Sequence, residues 1–218
     1  MAQIEAVAFD KDGVIFDSER IYHQALLATL AQHDLMFSLE FLAQFQGMSM
    51  PKVIAILKEA VQDKVSPEMF VKQWIKACER SFQEEKLTFI SGIESVIETL
   101  YDQGYPLALV TADSQEGVLR DFSSTRPDLL AYFRVIITLD DVNEAKPNPE
   151  AYERAMALLG VAPESLLVLE DSDVGGEAAC AAQAKVLLYR PDGRASDELT
   201  QRVTAVIRHP KFLLDYLL

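Results

Sequence analysis

Cysteine is scarce in this chain: Cys78 and Cys180 are the only two among 218 residues, far apart and without a C-x-x-C spacing. That argues against a disulfide framework or a thiolate metal site, and both are expected as buried thiols on helices in a reducing compartment. Long apolar runs are missing as well. No stretch approaches the roughly 18 apolar residues of a membrane span, and the start "MAQIEAVAFD" lacks the basic and apolar regions of a secretory signal. The cytoplasm is the expected setting. Basic residues are in short supply: 20 Lys and Arg stand against 34 Asp and Glu, a formal net charge of -14. Such a balance repels nucleic-acid backbones and anionic lipid surfaces, so no nucleic acid and no membrane is expected as a partner. A monomer or weak homodimer is expected. No internal repeat and no low-complexity tract is found.

What is present is ordinary globular material, 50% hydrophobic and 25% charged. Four short apolar runs read as strands, Ile4 to Phe9, Leu107 to Thr111, Val135 to Leu139 and Leu166 to Glu170, with Lys185 to Tyr189 as a shorter fifth. They lack polar alternation, and from the second onward helical patterns separate them. This predicts a parallel sheet covered on both faces, an α/β doubly wound core. The gap between the first and second runs is far too long for an ordinary βα connection. Helical spacing over Glu19 to Gln32, Leu39 to Phe45, Pro51 to Ala60 and Pro67 to Glu84 fills it, with Ser66 as a cap and Pro51 and Pro67 in first turns. The expected division is a core of residues 1–14 and 89–218 and a helical insert of residues 15–88. Ser91 and Asn148 are expected as helix caps, Pro149 in a first turn, Gly104 and Gly160 as helix ends.

Ligands of open parallel sheets collect beyond the carboxyl ends of the strands. After the first run "VAFDKDGV" places Asp10 and Asp12; after the second comes Thr111 in "LVTADS"; after the third, Lys146 in "EAKPNPEAY"; after the fourth, Glu170 and Asp171 in "VLEDSDVGG". A strand that ends in two aspartates carries a desolvation cost that calls for something cationic. Carboxylates crowded into one crevice raise each other's pKa unless a cation lies among them, and an all-oxygen set indicates Mg²⁺. Singly, Asp12 is a turn aspartate before Gly13, Thr111 a strand-end threonine and Lys146 a solvated lysine before Pro147; together, in one strand-end context, they favour a site.

These four motifs, in this order, resemble the haloacid dehalogenase superfamily of phosphoryl-transfer enzymes, in the branch with a helical cap that includes β-phosphoglucomutase and sugar-phosphate phosphatases. The resemblance spans nearly the whole chain. It implies a modified Rossmann-like sheet of strand order 5-4-1-2-3, with Asp10 and Asp171 facing one another. It further implies that Asp10 and Asp171 ligate Mg²⁺ by their carboxylates, Asp12 by its backbone carbonyl, and Glu170 through water. Asp10 would be the nucleophile that forms an aspartyl-phosphate, and Asp12 the general acid and base. Thr111 and Lys146 would bind the phosphoryl oxygens, helped by backbone N–H groups of Lys11, Asp12 and Ala112. The expected activity is Mg²⁺-dependent hydrolysis of a small phosphorylated metabolite, a sugar phosphate in the first place.

The chain departs from the branch at several points. Lys11 stands where relatives carry an apolar residue; a solvated or salt-bridged side chain is the preferred reading, with contact to substrate phosphate as the alternative. Gln183 replaces a common glycine, and "FISG" the usual proline-glycine opening. The arginine that mutases of this branch carry in the cap is absent from "GMSM", Gly47 to Met50, which favours hydrolysis; Lys52 could stand in for it, which keeps a sugar phosphomutase as the alternative. Arg20, Tyr22, His23, Met48, Met50 and Lys52 are the cap candidates for substrate contact, with His23 and Lys52 taken forward as substrate-binding residues. The linkers near Ile15 and Thr88 are expected hinges. A catalytically silent binding protein on the same fold is the remaining alternative, disfavoured by the full set of reactive groups.

Overall fold

The computed structural model describes residues 3–193 and 195–217. Met1, Ala2, Arg194 and Leu218, which the expected core boundaries include, lie outside the described residues. Strand β1 (Ala6–Phe9) is followed by four helices, α1 (Glu19–Gln32), α2 (Leu39–Ala43), α3 (Met50–Val61) and α4 (Pro67–Glu84). Then come α5 (Ile93–Asp102), β2 (Leu107–Val110), α6 (Gln115–Thr125), β3 (Phe133–Ile137), α7 (Glu150–Leu159), β4 (Leu166–Glu170), α8 (Asp173–Ala181), β5 (Lys185–Tyr189), α9 (Asp197–Thr200) and β6 (Ala205–Ile207).

The sheet runs β3-β2-β1-β4-β5-β6, every pair parallel. Its first five strands follow the expected order. The addition is β6, where Ala205 and Val206 are partly buried and Ile207 is buried; its three apolar residues are too short a run to stand out in the sequence. Alternation along the strands divides the interior. Val7, Phe9, Leu107, Leu109, Leu167 and Leu169 face one cluster with Ile97, Leu100 and Phe122. Ala6, Ala8, Ala108, Val110 and Val168 face the other, where small residues let Ala151, Ala155, Ala178 and Ala179 of α7 and α8 approach closely. The chain leaves β1 toward β2 and β3, then returns to lay β4 on its other side, so the switch point lies between β1 and β4.

Several expected boundaries shift for local reasons. β3 ends before Thr138, because Thr138 and Asp141 close a capping box over the turn 139–141 and draw Leu139 out of the strand. The cap of α5 is Gly92 at φ +83 rather than Ser91; a Cβ there would sit 2.7 Å from the His209 ring. Asn148 does bond the start of α7, its Oδ1 accepting from Glu150 N at 3.0 Å, but Pro149 occupies the cap position and the helix begins one residue later. Cys78 is buried as expected; Cys180 is not, being partly exposed with Sγ 3.7 Å from the Arg202 carbonyl.

The four helices between β1 and α5 build a hydrophobic cluster of their own around Leu26, Leu57, Phe70 and Trp74. Its entry and exit are tied together: Asp17 N donates to Thr88 O and Ile90 N to Ile15 O, both at 2.9 Å, and the Phe16 and Phe89 rings lie 4.8 Å apart. Ile15, Phe16, Ile21 and Leu87 are fully or nearly fully buried in the sheet's cluster rather than the insert's own. Leu57, a member of the helical cluster, has no exposed surface. Leu57→Ala is expected to cost about 2–5 kcal/mol in urea unfolding, the range for a buried leucine that leaves a cavity.

Candidate active site

β1 ends at Phe9, and its continuation runs between the ends of β2 and β4; Asp10 N still donates to Leu169 O at 3.0 Å. The chain then turns sharply, with Gly13 N donating to Phe16 O and both Ile15 N and Phe16 N to Lys11 O. Gly13 has φ +80, and a Cβ on it would lie 1.9 Å from Asp171 Oδ2. Only glycine lets the two strand-end loops meet so closely.

They meet over carboxylates. Asp10, Glu170 and Asp171, all buried, offer oxygens that lie within 4.8 Å of one another. Lys146, 4% exposed, reaches in from the β3–α7 loop: Nζ donates to Asp10 Oδ1 at 2.6 Å, Glu170 Oε1 at 2.6 Å and the Val110 carbonyl at 2.9 Å, and lies 5.0 Å from the Tyr152 ring. Burial works to lower the lysine pKa, but the Asp10 and Glu170 carboxylates outweigh it and hold Lys146 as an ammonium. Burial also presses Asp10 and Asp171 well above the ordinary carboxylate range, against the Lys146 charge at Asp10 and aided by Glu170 at both. Asp171 takes Gln46 Nε2 at 2.9 Å, yet its buried Oδ1 has no hydrogen-bond partner among the described residues. The Lys146 ammonium therefore answers two of the three buried carboxylates, Asp10 and Glu170, and does not bond the third, Asp171. A small hard cation fits this all-oxygen set, and the orphaned Asp171 oxygen is where the chain leaves a charge unanswered.

Glu170 is saturated by protein donors: Lys146 and Tyr152 Oη (2.5 Å) on Oε1, Asp171 N (3.2 Å) and Ser172 Oγ (3.3 Å) on Oε2. Thr111 is buried at the end of β2 with Oγ1 accepting from Asp113 N at 3.0 Å, and no intrachain hydrogen bond occupies the N–H groups of Lys11, Asp12 or Ala112 among the described residues. Asp10, Asp12 and Ala112 line a cavity of about 450 Å³ between the sheet and the helical insert.

The expectation that Lys11 is solvated, or touches substrate phosphate with its side chain, is corrected. It has no exposed surface and does not line the cavity, donating hydrogen bonds to Asp12 Oδ1 at 3.1 Å and to Asp121 Oδ2 and lying in ion-pair distance of Asp113 Oδ2 at 3.0 Å. The salt-bridged half of that reading stands. Burial opposes its charge, but Asp12, Asp121 and Asp113 together keep it protonated. Among the cap candidates, Tyr22, His23, Met48 and Met50 line the cavity. Lys52 is exposed on α3 and Arg20 is taken up by Asp17 and Glu85, so neither is brought to the cavity wall. Sequence reasoning missed Glu19, which lines the cavity from the start of α1; burial and the charges of Asp12 and Asp10 push its carboxyl up to about 8. In the sequence it is an ordinary first-turn glutamate. Gln46, Tyr152 and Asp121 were missed as well, since each meets its partner only across the fold, and Ser18, which bonds Asp12 from the start of α1, reads in the sequence as an ordinary helix cap.

The family profile of the haloacid dehalogenase-like hydrolases matches residues 7–189. A "Phosphorylated carbohydrates phosphatase" of Thermotoga maritima is 34% identical over 179 residues, 82% of each chain. "Pyrophosphatase PpaX" of Listeria welshimeri is 24% identical over 216 residues, 98% of this chain and 89% of its own. Among solved structures, a candidate β-phosphoglucomutase of Thermotoga maritima superposes with a TM-score of 0.77 at 30% identity, covering 98% of both chains. The chain belongs to the haloacid dehalogenase-like hydrolase family. It is an enzyme, a phosphoric monoester hydrolase of the haloacid dehalogenase type. Among the described residues no helix is long and apolar enough to cross a membrane.

Lys146→Met leaves Asp10 and Glu170 buried without their ammonium. The expected loss is about 3–5 kcal/mol in urea unfolding without added metal, and a loss below about 1 kcal/mol would show that the carboxylates do not depend on it.

Proposed function

We propose that this hydrolase is a Mg²⁺-dependent phosphatase of a small phosphorylated metabolite, with a sugar phosphate as the first substrate to test, acting through an aspartyl-phosphate at Asp10. The observation that carries the reading is the Asp10 carboxylate, pinned on Oδ1 by Lys146 while the residue itself borders the cavity beside Asp12. Asp10 and Asp171 by their carboxylates, Asp12 by its backbone carbonyl and Glu170 through water would hold Mg²⁺, which when bound supplies positive charge to offset the carboxylates and the phosphate. An Asp10 oxygen bonds to phosphorus as the ester P–O bond breaks, and Asp12 gives its proton to the departing oxygen. Water then attacks the acyl phosphate, Asp12 takes the water's proton, and Asp10 and inorganic phosphate are released. Lys146 and the Thr111 hydroxyl, with the N–H groups of Lys11, Asp12 and Ala112, would steady the phosphoryl oxygens. The name of the 34% identical relative supports carbohydrate phosphates as the first substrates to try.

The phosphomutase alternative asks for a cation at the far side of the cavity to grip a second phosphate. No lysine or arginine lines the cavity among the described residues; Met48 and Met50 stand there. That favours release of the intermediate to water. The reading keeps the cytoplasmic setting and a monomer or weak homodimer as parts of the proposal.

Phosphate release from a panel of phosphorylated metabolites is expected with Mg²⁺ and lost with chelator. Asp10→Asn should abolish turnover, and Asp12→Asn should lower it about 10²–10⁴-fold with the fold intact. Full turnover by Asp10→Asn would overturn the covalent mechanism.

A further inference from the structure

The cavity has two unlike ends. Toward the sheet it is bordered by Asp10, Asp12, Asp113 and Glu19, with His23 one turn along α1; toward the insert it is walled by Leu26, Leu42, Phe45, Met50, Val53 and Trp74. On that far wall the indole nitrogen of Trp74 is the one nitrogen or oxygen in a side chain, and it is buried without a hydrogen-bond partner among the described residues. One ligand oxygen could accept from that indole N–H, but the further hydroxyls of a hydroxyl-covered leaving group would be left unpaired against this wall, whereas methylenes would be removed from water there. At about 450 Å³ the space exceeds the needs of a phosphate alone and suits a ligand of moderate size.

We propose that the preferred substrate is a phosphate monoester of an amphipathic alcohol, polar beside the phosphorus and apolar beyond. This rests on the phosphatase reading and narrows its substrate class from a bare sugar phosphate. The far wall takes the apolar body of the leaving group, and Glu19 and His23 face its polar portion.

A series of n-alkyl phosphates from ethyl to octyl separates chain length from leaving-group reactivity. With Mg²⁺, kcat/KM is expected to rise about threefold to fourfold per methylene until the cavity is filled, and to exceed that of glucose 6-phosphate at the longer chains. Val53→Phe should shorten the chain length at which the rise stops. A flat series, or a preference for glucose 6-phosphate throughout, overturns the proposal. Calorimetric binding of the same esters to Asp10→Asn tests it apart from turnover. Tightening affinity with chain length supports the apolar subsite even if no ester is hydrolysed, in which case it is the phosphatase reading that fails; length-independent binding refutes the subsite.

A second inference stands on a separate observation. Asp12 Oδ1 accepts from both Lys11 Nζ and Ser18 Oγ, while Oδ2 has no intrachain donor among the described residues. The geometry points to Lys11 as a positioning residue: anchored by buried Asp121, it fixes one oxygen of Asp12 and leaves the other to serve the leaving group. Lys11→Met alone strands the Asp121 charge, so the test is Lys11→Met with Asp121→Leu, which removes both members of the buried pair. In the double variant, alkyl phosphates, whose leaving oxygen needs a proton, should turn over about 10–100-fold more slowly. The nitrophenolate burst from p-nitrophenyl phosphate, whose leaving group departs without one, should keep its rate within about threefold. Equal losses on both substrates, or no loss on either, would refute the positioning role.

Discussion

Three carboxylates held out of water at the adjoining ends of β1 and β4 are the constraint to which the rest of this molecule answers. Charge of one sign in so small a volume is stable only with counter-charge at hand, and Lys146, gripped on three sides, gives it to Asp10 and Glu170 but forms no bond with Asp171. The topology makes the crowding unavoidable: β4 pairs with β1 because the chain reverses its course across the sheet there, and the two loops that follow are pressed together at Gly13. The negative charge that the protein leaves unanswered is what a bound cation would offset, so the feature that burdens the fold is also the one suited to a metal centre.

A second buried ammonium repeats the arrangement on the other side of the loop. Lys11 leaves its strand-end position, passes behind Asp12 and meets Asp121 on α6, a residue remote in sequence and adjacent in space. Two lysines thus flank the pair Asp10 and Asp12, Lys146 on the first and Lys11 on the second, each matched to a further acidic partner from a distant strand or helix. The helical insert joins the same network through Gln46, which donates to Asp171.

The parts of the fold and site that were legible in the sequence are those written in local patterns. Continuous apolar runs marked β4 and β5 to the residue, and periodic helices marked α1 and α4 equally well. The strand-end motifs pointed to Asp10, Glu170 and Asp171 as one group, and the fold does bring them together. What escaped was non-local or weakly patterned. β6 is three residues long, and β3 lost its expected end to a capping box. The buried partner of Lys11, Asp121, lies 110 positions away, and nothing about Glu19 or Tyr152 alone announces a place beside the carboxylates of the candidate site.

The paired entry and exit of the insert carry a consequence for how such proteins diversify. Asp17 and Thr88 are hydrogen-bonded neighbours, and Phe16 packs on Phe89, so the chain enters and leaves the intervening helices through a single doorway. To the core the whole bundle is one long excursion with its ends clasped, closer to a cartridge than to a link in the chain. Its inner walls can be rebuilt residue by residue, changing what is admitted, while the sheet and its reactive edge keep their own architecture.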